Sequence, residues 1–279
     1  MIYKAWVAKA AKQPMAFTTV EPGPLGAEEV EIAVEHCGLC HSDLSIFNDE
    51  FGGSQFPATL GHEVVGRVTA VGPSAKGVAV GQQVGVGWFS GSCMHCHQCL
   101  SGQQHLCPQA QLTIVGHRGG FASHIRCHWA WAIPLPEGLD LADAGPLLCG
   151  GITVFSPLVA HAKPVDRVGV IGIGGLGHLA LQFLNAWGCE VIAFSSSDSK
   201  SEEAKKLGAH HVVNSKDKNA LGKIQGSLNF ILSTVNASMD WEAFLGTLAP
   251  KGRLHVPGAL VTGLQPLSRY QEKSSSVMS

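Results

Sequence analysis

Four cysteines, Cys93, Cys96, Cys99 and Cys107, follow one another in a C-x2-C-x2-C-x7-C run. Thiolates are soft ligands, and short C-x2-C steps let successive turns of one loop aim their sulfurs at a common centre, which suits tetrahedral zinc at about 2.3 Å. With all four vertices taken by cysteine, no position is left for water or substrate, so such a site braces a loop and performs no chemistry. Two disulfides are the alternative, and they require an oxidising compartment of the kind that small secreted domains occupy. Reactivity has to come from a more dispersed set: Gly38-Leu39-Cys40-His41-Ser42-Asp43, Gly61-His62-Glu63 and, far downstream, Leu148-Cys149-Gly150-Gly151. One histidine with two thiolates leaves a vertex open for a substrate oxygen, the requirement for Lewis-acid catalysis. Singly, each of these residues reads equally well as packing.

A third motif, Gly172-Ile173-Gly174-Gly175-Leu176-Gly177, has the G-x-G-x-x-G spacing. In a chain with 34 glycines the spacing alone says little. Its context says more, because Val168-Gly169-Val170-Ile171 reads as a buried strand before it and His178 to Trp187 as a helix after it. At such a strand-to-helix turn, missing side chains let the backbone approach a pyrophosphate, whose charge meets the free N–H groups of the helix end. The next strand, Val191-Ile192-Ala193-Phe194, runs into Ser195-Ser196-Ser197-Asp198-Ser199-Lys200. An NAD site places a carboxylate here for the ribose hydroxyls. The hydroxyls of Ser195 and Ser196 and the ammonium of Lys200 suit the 2′-phosphate of NADP instead. The competing reading makes the serines a plain turn and Asp198 the acid.

The elements that must position these residues differ along the chain. From Met1 to about Val154 it is rich in Gly, Pro, Val, Cys and His, with short apolar runs at Val30 to Val34, Val64 to Val71 and Gln83 to Val86. That is the texture of short strands in irregular loops, and it predicts a β-rich domain over 1–154. From Phe155 onward, strands at Arg167 to Ile171, Glu190 to Phe194, His211 to Val213, Asn229 to Leu232 and Gly252 to Val256 alternate with helices at Leu176 to Trp187, Ser201 to Leu207 and Met239 to Leu248. Such alternation predicts a parallel sheet with helices on its faces over 155–279. The 279 residues, 45% of them hydrophobic, suffice for a substantial core, and the net charge of −2 offers nothing to attract nucleic acid or an anionic membrane. No secretory signal opens the chain and no apolar stretch is long enough to span a bilayer, so a cytoplasmic location is expected, where nine cysteines point to metal rather than to bridges. His95, His97, His210 and His211 are expected to be solvated loop residues, and Cys37, Cys127 and Cys189 to be packing residues or spare thiols. Of the six tryptophans, Trp88 is the candidate for a substrate pocket because it precedes the cysteine loop.

Gly61-His62-Glu63-Val64-Val65-Gly66, the four-cysteine loop and the nucleotide turn together resemble the zinc-dependent medium-chain alcohol dehydrogenases. His36-Cys37-Gly38-Leu39-Cys40-His41-Ser42-Asp43, Gly91-Ser92-Cys93 and Cys149-Gly150-Gly151-Ile152-Thr153-Val154 are similar to the cinnamyl-alcohol-dehydrogenase-like branch, which includes bacterial broad-range NADP-dependent aldehyde reductases. The likeness runs from near Ile2 to about Gly258. It implies an α/β protein, with a GroES-like β-rich catalytic domain followed by a Rossmann-type doubly wound parallel sheet. It implies two zinc ions per chain: a catalytic one on Cys40, His62 and Cys149, whose shell Glu63 can enter, and a structural one on Cys93, Cys96, Cys99 and Cys107. It also implies that Asp43 orients His62, that Ser42 carries a proton between the substrate oxygen and solvent, and that Thr153 lies close to the nicotinamide of NADP(H). The implied reaction is hydride transfer between NADP(H) and a small aldehyde or primary alcohol, mainly aldehyde reduction.

Two departures from the family pattern stand out. Many relatives carry a histidine where Ser45 stands here, completing a proton relay. Members also continue for several tens of residues beyond Leu254-His255-Val256-Pro257-Gly258-Ala259, whereas this chain runs through Gln265 to Tyr270 into the serine-rich Ser274 to Ser276. The resemblance therefore implies a nucleotide sheet incomplete at its C-terminal edge, with the strand at Gly252 to Val256 as a sheet edge carrying unpaired backbone groups, and a family-type homodimer through the missing edge strand is not expected. Two other function classes compete: a non-catalytic zinc and nucleotide binder, and a zinc-ribbon nucleic-acid module, which lacks the basic stripe that such a module needs.

Overall fold

In the computed structural model the described residues are 2–235 and 239–257, so the expectations placed on Gly258, Ala259, residues 265–270 and Ser274 to Ser276 lie outside the described residues. The chain forms two compact units, Met1–Cys149 and Gly150–Ser279. In order, the first unit comprises β1 (Tyr3–Val7), β2 (Ala16–Val20), β3 (Glu29–Cys37), α1 (His41–Asn48), β4 (Val64–Val71), β5 (Gln83–Val86), β6 (Phe89–Gly91), α2 (His97–Leu100), β7 (Gln111–Leu112), β8 (His124–His128), β9 (Ile133–Pro134) and α3 (Leu141–Ala144). Five of the strands make an antiparallel sheet in the order β8-β3-β4-β5-β9. Alternation places Val30 and Ile32 of β3, Val64 and Val68 of β4, Val84 and Val86 of β5, and Ile125 and Cys127 of β8 in one buried cluster. Cys127 is thus a core residue.

On β3, Glu31 alternates with Val30 and Ile32 and is nevertheless buried. Arg126 of β8 lies opposite it in register and donates to Glu31 Oε2 through Nη2 at 2.8 Å and Nε at 3.1 Å, while the Tyr3 hydroxyl donates to the same oxygen. Burial alone would raise the Glu31 carboxyl, but the Tyr3 and Arg126 hydrogen bonds outweigh it and hold the group below the ordinary carboxylate range. This network ties β1 to β3 and β8 at one side of the five-stranded sheet.

The second unit comprises α4 (Gly150–His161), β10 (Arg167–Ile171), α5 (Gly175–Trp187), β11 (Glu190–Ser195), α6 (Ser201–Lys206), β12 (His211–Asn214), α7 (Lys218–Gly222), β13 (Leu228–Ser233), α8 (Trp241–Leu245) and β14 (Leu248–His255). Its five strands are all parallel, in the order β12-β11-β10-β13-β14. The chain starts in the middle and winds outward both ways, the doubly wound arrangement that the family resemblance implies. One core holds Val154 and Leu158 of α4, Leu181 and Leu184 of α5, and the strand residues Val168, Val170, Phe230 and Leu232. A second core on the other set of strand residues holds Ile171, Ile192, Phe194, Leu228, Ile231 and Phe244. Among the described residues β14 is the outer strand on its side.

Three local expectations are corrected. The helix expected over Met239 to Leu248 is only Trp241–Leu245, capped by the Asp240 carboxylate, which accepts from Ala243 N at 3.2 Å. Thr247 ends it by donating its hydroxyl back to Phe244 O while its carbonyl accepts from Ser227 N and Leu228 N, so the chain is already entering the sheet. The last strand accordingly starts at Leu248 rather than Gly252, with an irregularity in register between Leu228 and Phe230. Third, α4 and α1 fall in segments that read as strands and loops. Two glycines, four β-branched residues and Pro157 argue against helix over 150–161, yet full burial of Val154 and Leu158 overrides that local preference. No single helix among the described residues is long and apolar enough to cross a membrane.

Candidate active site

Cys40 is the N-cap of α1, and its amide donates to Asp43 Oδ2 at 3.1 Å across the first turn. The other Asp43 oxygen reaches the segment that precedes β4: Oδ1 accepts from Gly61 N at 2.8 Å and lies 3.0 Å from His62 Nδ1. One buried carboxylate thus joins the helix end to the loop. Gly61 has φ +95°, and a Cβ there would lie 2.6 Å from a ring carbon of Phe121, so only glycine lets the loop turn under α1. With Nδ1 donating to Asp43, His62 Nε2 presents a lone pair, and it lies 3.2 Å from the sulfur of Cys149. Cys149 follows the short 3-10 turn Gly145–Leu148, and its sulfur is 3.8 Å from that of Cys40. Glu63 completes the group, and the donor atoms of Cys40, His62, Glu63 and Cys149 all lie within 4.8 Å of one another.

The electrostatics of this pocket are those of donors crowded together. The Cys149 thiol and the His62 imidazole beside Cys40 bring its thiol down to about 3 against the opposing effect of burial. Cys149, which shares its proton with Cys40, is pushed up. Burial disfavours the charged imidazole, but Asp43 and Cys40 outweigh it and bring His62 up to about 9. Glu63 is raised by burial and then by Cys40. Two sulfurs, a carboxyl and an imidazole confined in this way compete for protons, and a divalent cation relieves all of them at once. Trp88 sets its ring edge-on to His62 with centroids 4.9 Å apart, and Ser42 is half-buried in the first turn of α1.

The other cysteine group lies in the loop between β6 and β7, where the sulfurs of Cys93, Cys96, Cys99 and Cys107 fall within 4.8 Å of one another. Cys93 and Cys99 are 3.9 Å apart, as are Cys96 and Cys107, far beyond the roughly 2.05 Å of a disulfide. The nine cysteines are all free. The amide of Cys96 donates to Cys93 Sγ and that of Gln109 to Cys107 Sγ, both at 3.3 Å, which is how a loop orients sulfurs toward a metal. The amides of His95 and Cys96 bring the Cys93 thiol down to about 6. All-sulfur donors at this spacing suit zinc or iron–sulfur chemistry, and the mixed S/N/O set around His62 suits zinc. His95 and His97 lie outside both groups. His210 and His211 do as well: His210 Nδ1 accepts from Val191 N at 3.0 Å, and His211 Nε2 pairs with Glu190 at 3.0 Å.

In the second unit, Gly172 to Gly177 form the turn from β10 into α5. Gly172 has φ +87°, and a Cβ on Gly177 would lie 1.8 Å from the Gly172 carbonyl oxygen, so these two glycines close the turn. Gly174 and Gly175 have nothing within 4 Å of where a Cβ would be, and they leave an open backbone cradle at the start of a 13-residue helix. Beyond β11, the Ser195 hydroxyl is engaged within the next turn, donating to Ser197 O at 2.8 Å and accepting from Ser197 N at 3.2 Å. Ser196 and Lys200 are exposed beside it, and the side chain of Asp198 lies outside the description. Thr153 is half-buried on α4.

A family profile described as the alcohol dehydrogenase GroES-like domain matches residues 26–137, and one described as zinc-binding dehydrogenase matches residues 175–278. The chain is 53% identical to aldehyde reductase AdhA of Synechocystis over 266 residues, a match that covers 95% of this chain and 77% of that one. This chain belongs to the zinc-binding alcohol dehydrogenases. Among solved members of the family, the cinnamyl alcohol dehydrogenase SbCAD4 of Sorghum bicolor superposes with a TM-score of 0.90 at 35% identity, covering 97% of this chain and 80% of its own. The Helicobacter pylori cinnamyl alcohol dehydrogenase complexed with NADP(H) superposes with a TM-score of 0.83 at 29% identity, with 92% and 76% covered. The GroES-like and Rossmann-type halves expected from the resemblance are both present.

For this member of the zinc-binding alcohol dehydrogenases, two residues that shape the pocket escaped the sequence reading. A Cβ on Gly38 would lie 2.0 Å from Glu63 Oε2, and one on Gly145 would lie 2.6 Å from the Glu63 carbonyl oxygen. Both glycines make room for Glu63. A signal existed for Gly38, which stands two residues before a candidate ligand, but spacing alone does not say which distant side chain a glycine must accommodate.

Proposed function

We propose that the chain transfers a hydride between NADP(H) and a small aldehyde or primary alcohol, chiefly in the direction of aldehyde reduction. The observation that carries this reading is the convergence of Cys40, His62, Glu63 and Cys149 from three separate segments onto one centre. Cys40, His62 and Cys149 would hold a zinc ion there, Glu63 would be the exchangeable fourth donor, and Cys93, Cys96, Cys99 and Cys107 would hold a second ion that braces their loop. When bound, zinc supplies Lewis acidity toward a carbonyl oxygen and the nicotinamide supplies or accepts the hydride.

The chain's own residues supply the rest. Asp43 fixes the His62 tautomer through Nδ1 and so keeps Nε2 available as a donor. Ser42 exchanges a proton with the substrate oxygen, and Thr153 packs against the nicotinamide. Gly172, Gly174, Gly175, Leu176 and Gly177 take the pyrophosphate at the start of α5. Ser196 and Lys200, on the turn that Ser195 closes, take the 2′-phosphate, for which an ammonium is the better partner. The NADP(H) complex of the H. pylori relative and the aldehyde reductase name of the Synechocystis relative support the choice of cofactor and substrate class.

The test is NADPH oxidation with a panel of aromatic and aliphatic aldehydes, beside NADH, with Cys40→Ser as control. Aldehyde-dependent oxidation that prefers NADPH and disappears in the control is expected. Zinc-loaded protein that turns over none of the panel would overturn the reading.

A further inference from the structure

Beside the edge strand β12, toward the end of the parallel sheet where β10 begins, lies a cavity of about 290 Å3 that the dehydrogenase chemistry does not use. In-register pairing puts Gly169 beside Ile192 and Ile192 beside His211, so alternation sets Arg167, Ile192, His211 and Val213 on one face of the sheet. That face carries the second core, and the cavity takes its apolar lining from Ile192, Val213 and, past the end of α7, Ile224. Its rim is cationic, formed by Arg167, His211 and Lys223. One carboxylate answers them: Glu190 Oε1 accepts from Arg167 Nε at 2.9 Å and lies 3.0 Å from His211 Nε2. Burial would raise the Glu190 carboxyl, but Arg167 and His211 outweigh it and hold the group below the ordinary carboxylate range, so it keeps its negative charge. Among the described residues, neither Nη1 and Nη2 of Arg167 nor Nζ of Lys223 has a hydrogen bond or an ion pair.

We propose that this cavity binds a small monocarboxylate with an apolar body, an aliphatic or aromatic acid. With Nε committed to Glu190, the Nη1/Nη2 edge of Arg167 remains as a planar fork of two parallel donors, the geometry that matches the two oxygens of a carboxylate. The charges of Arg167 and Lys223 set against that of Glu190 leave one positive charge at the rim while His211 is neutral, which balances one carboxylate and falls short of a dianion such as hydrogen phosphate. Hydrogen phosphate would also press its remaining oxygens against Ile192, Val213 and Ile224, whose side chains offer no donor. At roughly 30 Å3 for each water-sized group the cavity holds about ten, the size of benzoate or hexanoate. Arg167 and the glycine turn stand at opposite ends of β10, roughly 16 Å apart at 3.3 Å per residue. The site is therefore separate from that of the nucleotide and stands whether or not the chain is an oxidoreductase.

The test follows the methyl groups of Ile192, Val213 and Ile224 by NMR in the zinc-loaded full chain while benzoate, benzamide or inorganic phosphate is added near neutral pH. Benzoate should shift these methyls saturably, benzamide should bind about tenfold more weakly, and phosphate should leave them in place. Lys223→Glu reverses one rim charge at an exposed position and should weaken benzoate about tenfold, while NADPH affinity and zinc content stay those of the parent. Benzamide or phosphate that binds as well as benzoate, or a Lys223→Glu variant that matches the parent, would overturn the carboxylate. Methyls that benzoate leaves unmoved would overturn the site itself. Carboxylates also ligate zinc, so the methyls of Ile46 and Ile114, which pack with Trp88, are followed in the same spectra. Benzoate that shifts only those two, and equally in Lys223→Glu, would sit in the metal pocket alone and overturn the proposal.

Discussion

Asp43 carries more of the metal pocket than any residue that could touch the metal. Its two oxygens hold the amides of Cys40 and Gly61 and the imidazole of His62, so one side chain sets the position of two donors and the tautomer of one. Asp43→Asn keeps the shape but sets an amide where a carboxylate accepted, and it should weaken zinc binding about 10–100-fold in competition with a chromophoric chelator. Unchanged affinity would mean that the loop, not Asp43, orients His62. The types of these residues were legible in the sequence, because thiols, an imidazole and carboxyls near short glycine steps are unusual company. Their convergence was not, since Cys40 and Cys149 are 109 positions apart and only the fold sets their sulfurs 3.8 Å from each other. Ser45 shows the other limit: the sequence marks it as a departure, but its bond to Glu50 depends on how α1 ends at Asp49.

The elements that position the site have their own weak points. At the turn from β10 to α5, Gly177→Ala would force a methyl against the Gly172 carbonyl oxygen. It should cost about 3 kcal/mol in urea unfolding and abolish the blue shift of nicotinamide fluorescence that marks bound NADPH. In the five-stranded sheet, the stabilisation from Glu31 has a defined pH dependence. Its carboxyl is depressed in the folded state, so its contribution is complete above the unfolded value of about 4.3 and is lost as pH falls through the lower folded value. Glu31→Gln should therefore destabilise by about 3 kcal/mol near pH 7, leaving Arg126 half-paired, and the gap in melting temperature between parent and variant should close below about pH 4. The parallel sheet was legible because buried β10, β11 and β13 read as unbroken apolar runs. Helix α4 was not, because its glycines, β-branched residues and Pro157 speak against helix, and only the core it covers decides the matter.

For the molecule as a whole, the two cysteine groups predict a stoichiometry. Elemental analysis should find two zinc ions per chain in the parent and one in Cys99→Ala, with NADPH affinity unchanged because the nucleotide turn lies in the other unit. A loss of both ions together would show that the β6–β7 loop and the His62 pocket do not fold independently. The void at Gly38 reaches further. A side chain at that position and the carboxyl of Glu63 claim the same volume, with 2.0 Å between them where van der Waals contact needs well over 3 Å. Neither position is therefore free to drift alone, and descendants of this sequence should enlarge residue 38 only after residue 63 has shortened, a constraint that links two sites 25 residues apart through the space they share.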